Sequence, residues 1–319
     1  MSSMTTEEPI LRLKDVTKKF PASKGRMLTA NDHICLDIYP EETIGVVGES
    51  GCGKSTLVRL ITKLEPVTEG EIIFKGQPIN DLKGKAGHRH IQMVFQDPAE
   101  AFSPRMKVKN IICEPMLNYG LIKRSEVYDN AVRLLKLVGL DESFAERYPH
   151  SMSGGQRQRV GIARSLAIQP DILICDEATS ALDVSVQKNI IDLLIQIQKE
   201  THITIIFICH DIALARNLSH RTAVMYLGSI MEVVPGRDLC MGQNMHPYTR
   251  TLKEALFYVG MDCSKPIQSI DSEIPSPLNK PPGCPFQNRC PDCMDICRSE
   301  APELKEVEPG HLIACHLFD

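Results

Sequence analysis

The chain has 319 residues, with 36 Lys+Arg against 40 Asp+Glu, and its net charge of −4 argues against a protein held to nucleic acid by a basic face. With 43% hydrophobic and 24% charged residues it reads as an ordinary globular protein, long enough for one large domain and a small one. Met1 to Pro9 is polar and acidic, without the charged-then-apolar layout of a secretory signal. The longest strongly apolar run, Ile203 to Cys209, falls far short of the ~20 residues that cross a bilayer. A cytoplasmic chain is expected, with any membrane connection made through a partner.

Leu11 to Phe20 and Ile34 to Ile38 alternate as half-buried strands joined by a Gly- and Lys-containing turn. Thr43 to Val47 is a short apolar strand leading into a glycine loop, and Leu57 to Lys63 is the helix behind it. Glu71 to Phe74 with Gly76 reads as a hairpin, and Ile91 to Phe95 as a buried strand. From Ala101 to about Pro149 the pattern turns helical, most clearly over Val127 to Val138. Gln156 to Ala167 is a further helix, stopped near Pro170. Ile172 to Cys175 and Ile203 to Cys209 are almost continuous apolar runs, as expected of central strands covered on both faces. Ser185 to Lys199 is the helix between them, which completes a βαβ unit of a parallel sheet. After about Val234 Pro, Gly, Cys and polar residues dominate, and a domain boundary is expected near Pro235.

Gly48-Glu49-Ser50-Gly51-Cys52-Gly53-Lys54-Ser55, followed by Thr56, fits the phosphate-loop pattern G-x-x-x-x-G-K-S between a strand and a helix. Glycines let backbone N–H groups converge on phosphate oxygens, and the helix N-terminus adds a favourable dipole. Lys54 is placed to neutralise terminal phosphates and Ser55 to ligate magnesium. Asp176-Glu177 ends an apolar strand, where ligand sites of α/β sheets lie. Asp176 suits the magnesium shell, and Glu177 suits a general base for an attacking water.

Together these residues resemble the ATP-binding cassette family. Met152-Ser153-Gly154-Gly155-Gln156 looks like its signature motif, with Met where Leu is usual. In that family the motif binds the γ-phosphate held by the opposite subunit, so two nucleotides are sandwiched in a head-to-tail dimer. The resemblance further implies that Gln96 contacts magnesium and water, that His210 touches the γ-phosphate, and that Asp183 belongs to the loop crossing the dimer interface. Phe20 matches the aromatic that stacks on adenine, with burial in the core as the rival reading. Pro40-Glu41-Glu42 stands where a Gly-Glu turn is usual, so a changed turn with unaltered chemistry is expected. The implied fold is α/β, a P-loop nucleoside triphosphatase. Its RecA-like core carries an antiparallel β subdomain and a helical subdomain at about 97–155, all within residues 1–235.

Residues 236–319 are expected to form a small Cys-rich extension. Of twelve cysteines, seven lie from Cys240 onward, and in a reducing compartment such a concentration suggests metal or cluster binding rather than disulfides. The last 40 residues hold nine large apolar side chains and six prolines, too little for a core, and small units of this kind often need a metal staple. Met245-His246-Pro247-Tyr248-Thr249-Arg250, Gly283-Cys284-Pro285-Phe286 and Arg289-Cys290-Pro291 are similar to the C-terminal extension of oligopeptide and dipeptide importer ATPases. That resemblance implies a four-iron [4Fe-4S] cluster on Cys284, Cys290, Cys297 and Cys315. Zinc or unligated thiols are the alternatives, and Cys293 is a possible competitor. Cys240 and Cys263 read as ordinary thiols.

The resemblance implies an ATPase subunit for import of di- or oligopeptides, with nickel or metal-chelate import as the close alternative. A soluble cassette protein acting on ribosomes or DNA fits less well, because the chain has neither tandem cassettes nor long coiled insertions. The implied partners are a second, non-identical ATPase, two membrane permeases and an extracytoplasmic substrate-binding protein, with no nucleic acid. The chain would then sit at the cytoplasmic face of the cell membrane.

Overall fold

The structure is a computed structural model that describes residues 8–82, 84–179, 182–239, 241–242, 244–254 and 276–319. The expectations for Cys240 and Cys263 fall outside the described residues. In chain order the elements begin with β1 (Leu11–Pro21), β2 (Met27–Ile38), β3 (Thr43–Val47), α1 (Lys54–Ile61), β4 (Glu69–Phe74), β5 (Gln77–Pro78), α2 (Gly84–Arg89) and β6 (Ile91–Val94). Then come α3 (Val108–Asn118), α4 (Val127–Leu137), α5 (Gly154–Leu166), β7 (Ile172–Asp176), α6 (Val184–Thr201), β8 (Thr204–Cys209) and α7 (Ile212–Leu218). The chain closes with β9 (Arg221–Tyr226), β10 (Ser229–Pro235), α8 (Pro247–Glu254), β11 (Lys305–Glu308) and β12 (His311–Ile313). No helix among the described residues is long and apolar enough to cross a membrane.

The chain folds into two compact units. One holds residues 11–37, 44–74 and 210–319, and it contains the phosphate loop. Here β1 lies between β2 and β4. Leu11 opposes Phe74 and Leu13 opposes Ile72, both buried, before the register shifts between Lys14 and Thr17. The shift is a local bulge. Asp15 takes a left-handed φ of 53°, and a Cβ on Gly70 would meet the Asp15 carbonyl at 2.1 Å, so only glycine lets the strands approach there. β2 starts seven residues before the predicted Ile34, because Met27 to His33 are mostly half-exposed and carry little apolar alternation.

Five further strands of this unit run in the order β11-β12-β10-β9-β3. β3 is parallel to β9, with Ile44 opposite Arg221 and Val47 opposite Val224, while β10 is antiparallel to both β9 and β12. The last residues of the chain therefore extend the sheet that carries the phosphate loop. Buried Ile313 and His311 on β12 make this possible despite the poor apolar content of the tail.

The other unit holds Ile38–Thr43 and Lys75–Cys209, together with the chain up to Ile10. β6, β7 and β8 are parallel neighbours, with Val94 opposite Cys175 and Asp176 opposite Ile208. Ile172 to Cys175 and all of β8 are buried, which explains their unbroken apolar sequence. The predicted helical stretch appears as α3 and α4; Val127, Ala131, Leu134 and Leu135 form the buried stripe of α4 at helical spacing. At the Pro40-Glu41-Glu42 turn Glu41 takes a φ of 60° where glycine would cost less. Its N–H donates to Thr204 Oγ1 at 3.0 Å and its carboxylate meets His202 Nδ1 at 2.9 Å, so the turn is changed and held by side chains.

Candidate nucleotide site

The strand-to-helix turn from Val47 to Lys54 is shaped by contacts that exclude a side chain. Gly48, Gly51 and Gly53 all have positive φ, and a Cβ on Gly53 would lie 2.4 Å from the Ala30 carbonyl. Gly48 would strike the Met225 carbonyl at 2.2 Å. These two positions fix the loop against β2 and β9, while Gly51 faces open space. Lys54 is buried, and its Nζ donates to the carbonyls of Gly48 at 2.7 Å and Glu49 at 3.0 Å. The ammonium therefore closes over its own loop, next to the first-turn N–H groups of α1, a preformed site for anionic oxygens. Ser50 and Ser55 are exposed and Thr56 is half-buried. Cys52 is buried beside Lys54, and burial pushes its thiol pKa up, as befits a packing residue.

Phe20 belongs to the same unit and is half-buried, with Lys18 Nζ 4.7 Å from its ring centroid. It is not a core aromatic. His210 directly follows β8 and is exposed. Asp211 next to it caps α7, accepting from the Ala213 N–H at 2.7 Å and the Leu214 N–H at 3.4 Å.

The acidic half of the expected site lies in the other unit. Asp176 ends β7, and Gln96 lies two residues beyond the end of β6, so the parallel register puts both at the C-terminal edge of these strands. Glu177 is half-buried with a left-handed φ of 47°, and its N–H donates to the Ile208 carbonyl at 3.1 Å. That bond fastens the acid to β8, and strain of this kind is characteristic of functional positions. Ser153 caps α5 in a reciprocal box: its Oγ accepts from the Gln156 N–H at 3.3 Å, and Gln156 Oε1 accepts from the Ser153 N–H at 3.0 Å. A Cβ on Gly155 would lie 2.5 Å from Val186, and one on Gly154 3.3 Å from Leu182, so the signature turn abuts the start of α6. Asp183 precedes α6, exposed, with its carbonyl accepting from the Gln187 N–H at 2.8 Å.

The cysteine region holds the second expected site. Cys284, Cys297 and Cys315 are buried and Cys290 and Cys293 half-buried, and the Cys284 N–H donates to the Cys297 carbonyl at 2.8 Å. Burial pushes Cys284 to about 11 and Cys290 to about 12, and the neighbouring cysteines add to both shifts. Yet among the described residues no group of three or more His, Cys, Asp or Glu is arranged to hold a metal ion. The donor chemistry of Cys284, Cys290, Cys297 and Cys315 fits a thiolate-bound centre.

Sequence reasoning also misses three residues around the phosphate loop. Arg289 and Tyr248 bond to Glu49 at 2.7 to 3.0 Å, and the Tyr226 hydroxyl accepts from Arg289 at 3.2 Å. The available signal was a charged residue, Arg289, next to Phe286 and Cys290 in a segment otherwise suited to burial.

Comparison with known proteins agrees with this geometry. Residues 31–180 match the family model described as ABC transporter, and residues 231–297 match the oligopeptide/dipeptide transporter C-terminal region. The chain is 43% identical to the oligopeptide transport ATP-binding protein AppF of Bacillus subtilis, over 98% of each chain. It is also 43% identical to the probable peptide ABC transporter ATP-binding protein y4tS of Sinorhizobium fredii, over 97% of this chain and 90% of that one. Among solved structures it resembles the dimeric ATP-binding cassette MJ0796 bound to ADP and Pi, with a TM-score of 0.64 and 32% identity over 71% of this chain and 99% of that chain. The chain thus belongs to the ATP-binding cassette transporter ATPases, a P-loop α/β family, in the branch with the oligopeptide/dipeptide transporter C-terminal region.

Proposed function

We propose that this protein hydrolyses ATP to power import of di- and oligopeptides through an ABC transporter. The observation that carries the reading is the near full-length similarity to peptide-transport ATP-binding proteins, in a chain whose loop and strand-end carboxylates suit ATP chemistry. In this reading the Gly48–Thr56 loop binds the phosphates and Lys54 neutralises them, while Phe20 stacks on adenine. Glu177 orients and deprotonates the attacking water, and His210 contacts the γ-phosphate. Ser55, Gln96 and Asp176 would hold Mg2+, which supplies charge neutralisation at the phosphate oxygens. Ser153, Gly154, Gly155 and Gln156, with Asp183, serve the nucleotide bound by a second, non-identical ATPase.

Residues 1–235 would then be the nucleotide-binding domain, with its helical part at about 97–155, and residues 236–319 the importer-type extension. Cys284, Cys290, Cys297 and Cys315 would carry a [4Fe-4S] cluster, with zinc as the alternative. Two permeases and an extracytoplasmic binding protein complete the assembly, and they hold this chain at the cytoplasmic face of the membrane. Reconstitution of that assembly in vesicles should give ATP-dependent accumulation of labelled di- or oligopeptide. Accumulation of nickel chelate without peptide, or peptide uptake independent of ATP, would contradict the reading.

A further inference from the structure

Glu49 is the second residue of the phosphate loop, and its surroundings come from the far end of the chain. Its carboxylate is gripped by both terminal nitrogens of Arg289, Nη1 to Oε2 at 2.7 Å and Nη2 to Oε1 at 2.9 Å. The same guanidinium donates to the Tyr226 hydroxyl at 3.2 Å, and its side chain is only 4% exposed. The Glu49 N–H donates to the Tyr248 hydroxyl at 3.0 Å, and the Glu49 carbonyl accepts from Lys54. Tyr226, Tyr248 and Phe286 pack as a three-ring cluster with centroids 4.7 to 5.3 Å apart. The Phe286 carbonyl in turn accepts the Arg289 N–H at 3.0 Å, so the rings set the position of the arginine. The carboxylate, amide and carbonyl of one loop residue are thus all engaged.

A carboxylate on a phosphate loop opposes the loop's task. Left unpaired, Glu49 would repel a polyanionic ligand and compete with it for the Lys54 ammonium. A buried arginine answers both problems, because its planar fork neutralises the carboxylate and fixes its direction. A lysine offers the charge without the second parallel bond.

We propose that Arg289 is a positioning residue for nucleotide binding, pairing with Glu49 so that the loop offers Lys54 and its amides to the phosphates without a competing carboxylate. The region after Pro235 then takes part in ATP binding from outside the nucleotide-binding motifs. This inference rests on the ATP-binding reading given above.

Fluorescence titration of the full-length chain with magnesium mant-ATP tests it through a double-mutant cycle. Arg289→Met should weaken binding about 10- to 100-fold, the loss expected when a buried charge keeps its place and loses its partner. In a Glu49→Gln background the same Arg289→Met change should cost less than about threefold, because no carboxylate remains to be neutralised. Equal losses in the two backgrounds would reduce Arg289 to a packing role and overturn the proposal, as would Arg289→Met binding like the parent chain. If Arg289→Met shows no cooperative thermal transition, the double variant decides: recovered folding with nucleotide binding supports the proposal, and failure of either overturns it. A parent chain that bound no magnesium mant-ATP would instead remove the ATP-binding reading, a separate result.

Discussion

Glu177 and Lys54 carry opposite expectations that separate catalysis from binding. Glu177→Gln keeps the shape and hydrogen-bonding reach of the side chain but loses the proposed base, so ATP should still bind. Hydrolysis should fall roughly 10²–10⁴-fold, about 3–5 kcal/mol in the barrier. Phosphate release and nucleotide binding measured on the same protein check this; near-normal turnover would assign the base elsewhere. Lys54→Ala should raise the nucleotide Kd by about tenfold or more, since its ammonium sits over the loop at the Gly48 and Glu49 carbonyls. Such residues stand out in the sequence because each proposed role demands a particular side chain at a short, fixed spacing. The Arg289–Glu49 pair was not, since 240 positions separate its members and only folding brings them together.

At the scale of elements, strands with continuous apolar sequence were readable from Ile172 to Cys175 and Ile203 to Cys209, whereas β10 to β12 and α8 depend on a buried polar node. Glu232 on β10 is fully buried. It accepts from the His246 N–H at 3.2 Å, from the Thr249 hydroxyl, and pairs with His311 Nε2 at 2.6 Å, tying α8 and β12 to β10. Periodicity reports apolar faces and is blind to such a node, which is why the tail looked unable to order itself. Glu232→Ala leaves these donors buried without an acceptor and should cost about 3 kcal/mol in urea unfolding.

His246 adds a pH dependence to the same elements. Burial, aided by the charge of Arg250, lowers its pKa from 6.5 to about 3, and its Nδ1 accepts the Tyr248 N–H at 3.0 Å. The unfolded chain therefore takes up a proton that the folded chain refuses. Its stabilising contribution is complete above pH ~6.5 and declines as the pH falls toward ~3, by an amount on the order of a few kcal/mol. Urea midpoints of His246→Asn should show a shallower acid decline than those of the parent chain over that interval; identical slopes would contradict the assignment.

For the whole molecule, the cysteine-bearing extension and the nucleotide loop share one folded unit, so metal content and ATP chemistry are separable measurements on one protein. Anaerobically purified chain should be brown and contain about four iron and four sulfide per protein, the composition of a [4Fe-4S] centre; colourless protein with stoichiometric zinc would replace the cluster. Partners were suggested only through resemblance, because no residue pattern within one cassette states what its mate is. Cargo is less legible still, since the motifs of the nucleotide site speak only to ATP. The decisive experiment is sedimentation of the Glu177→Gln chain, alone and with the second ATPase of the proposed assembly, in the presence and absence of magnesium and ATP. Nucleotide seized between the Gly48–Thr56 loop of one protomer and the Ser153-Gly154-Gly155 turn of its mate predicts a dimer that forms only with ATP. Protein that binds ATP yet remains monomeric in every mixture would contradict that shared site.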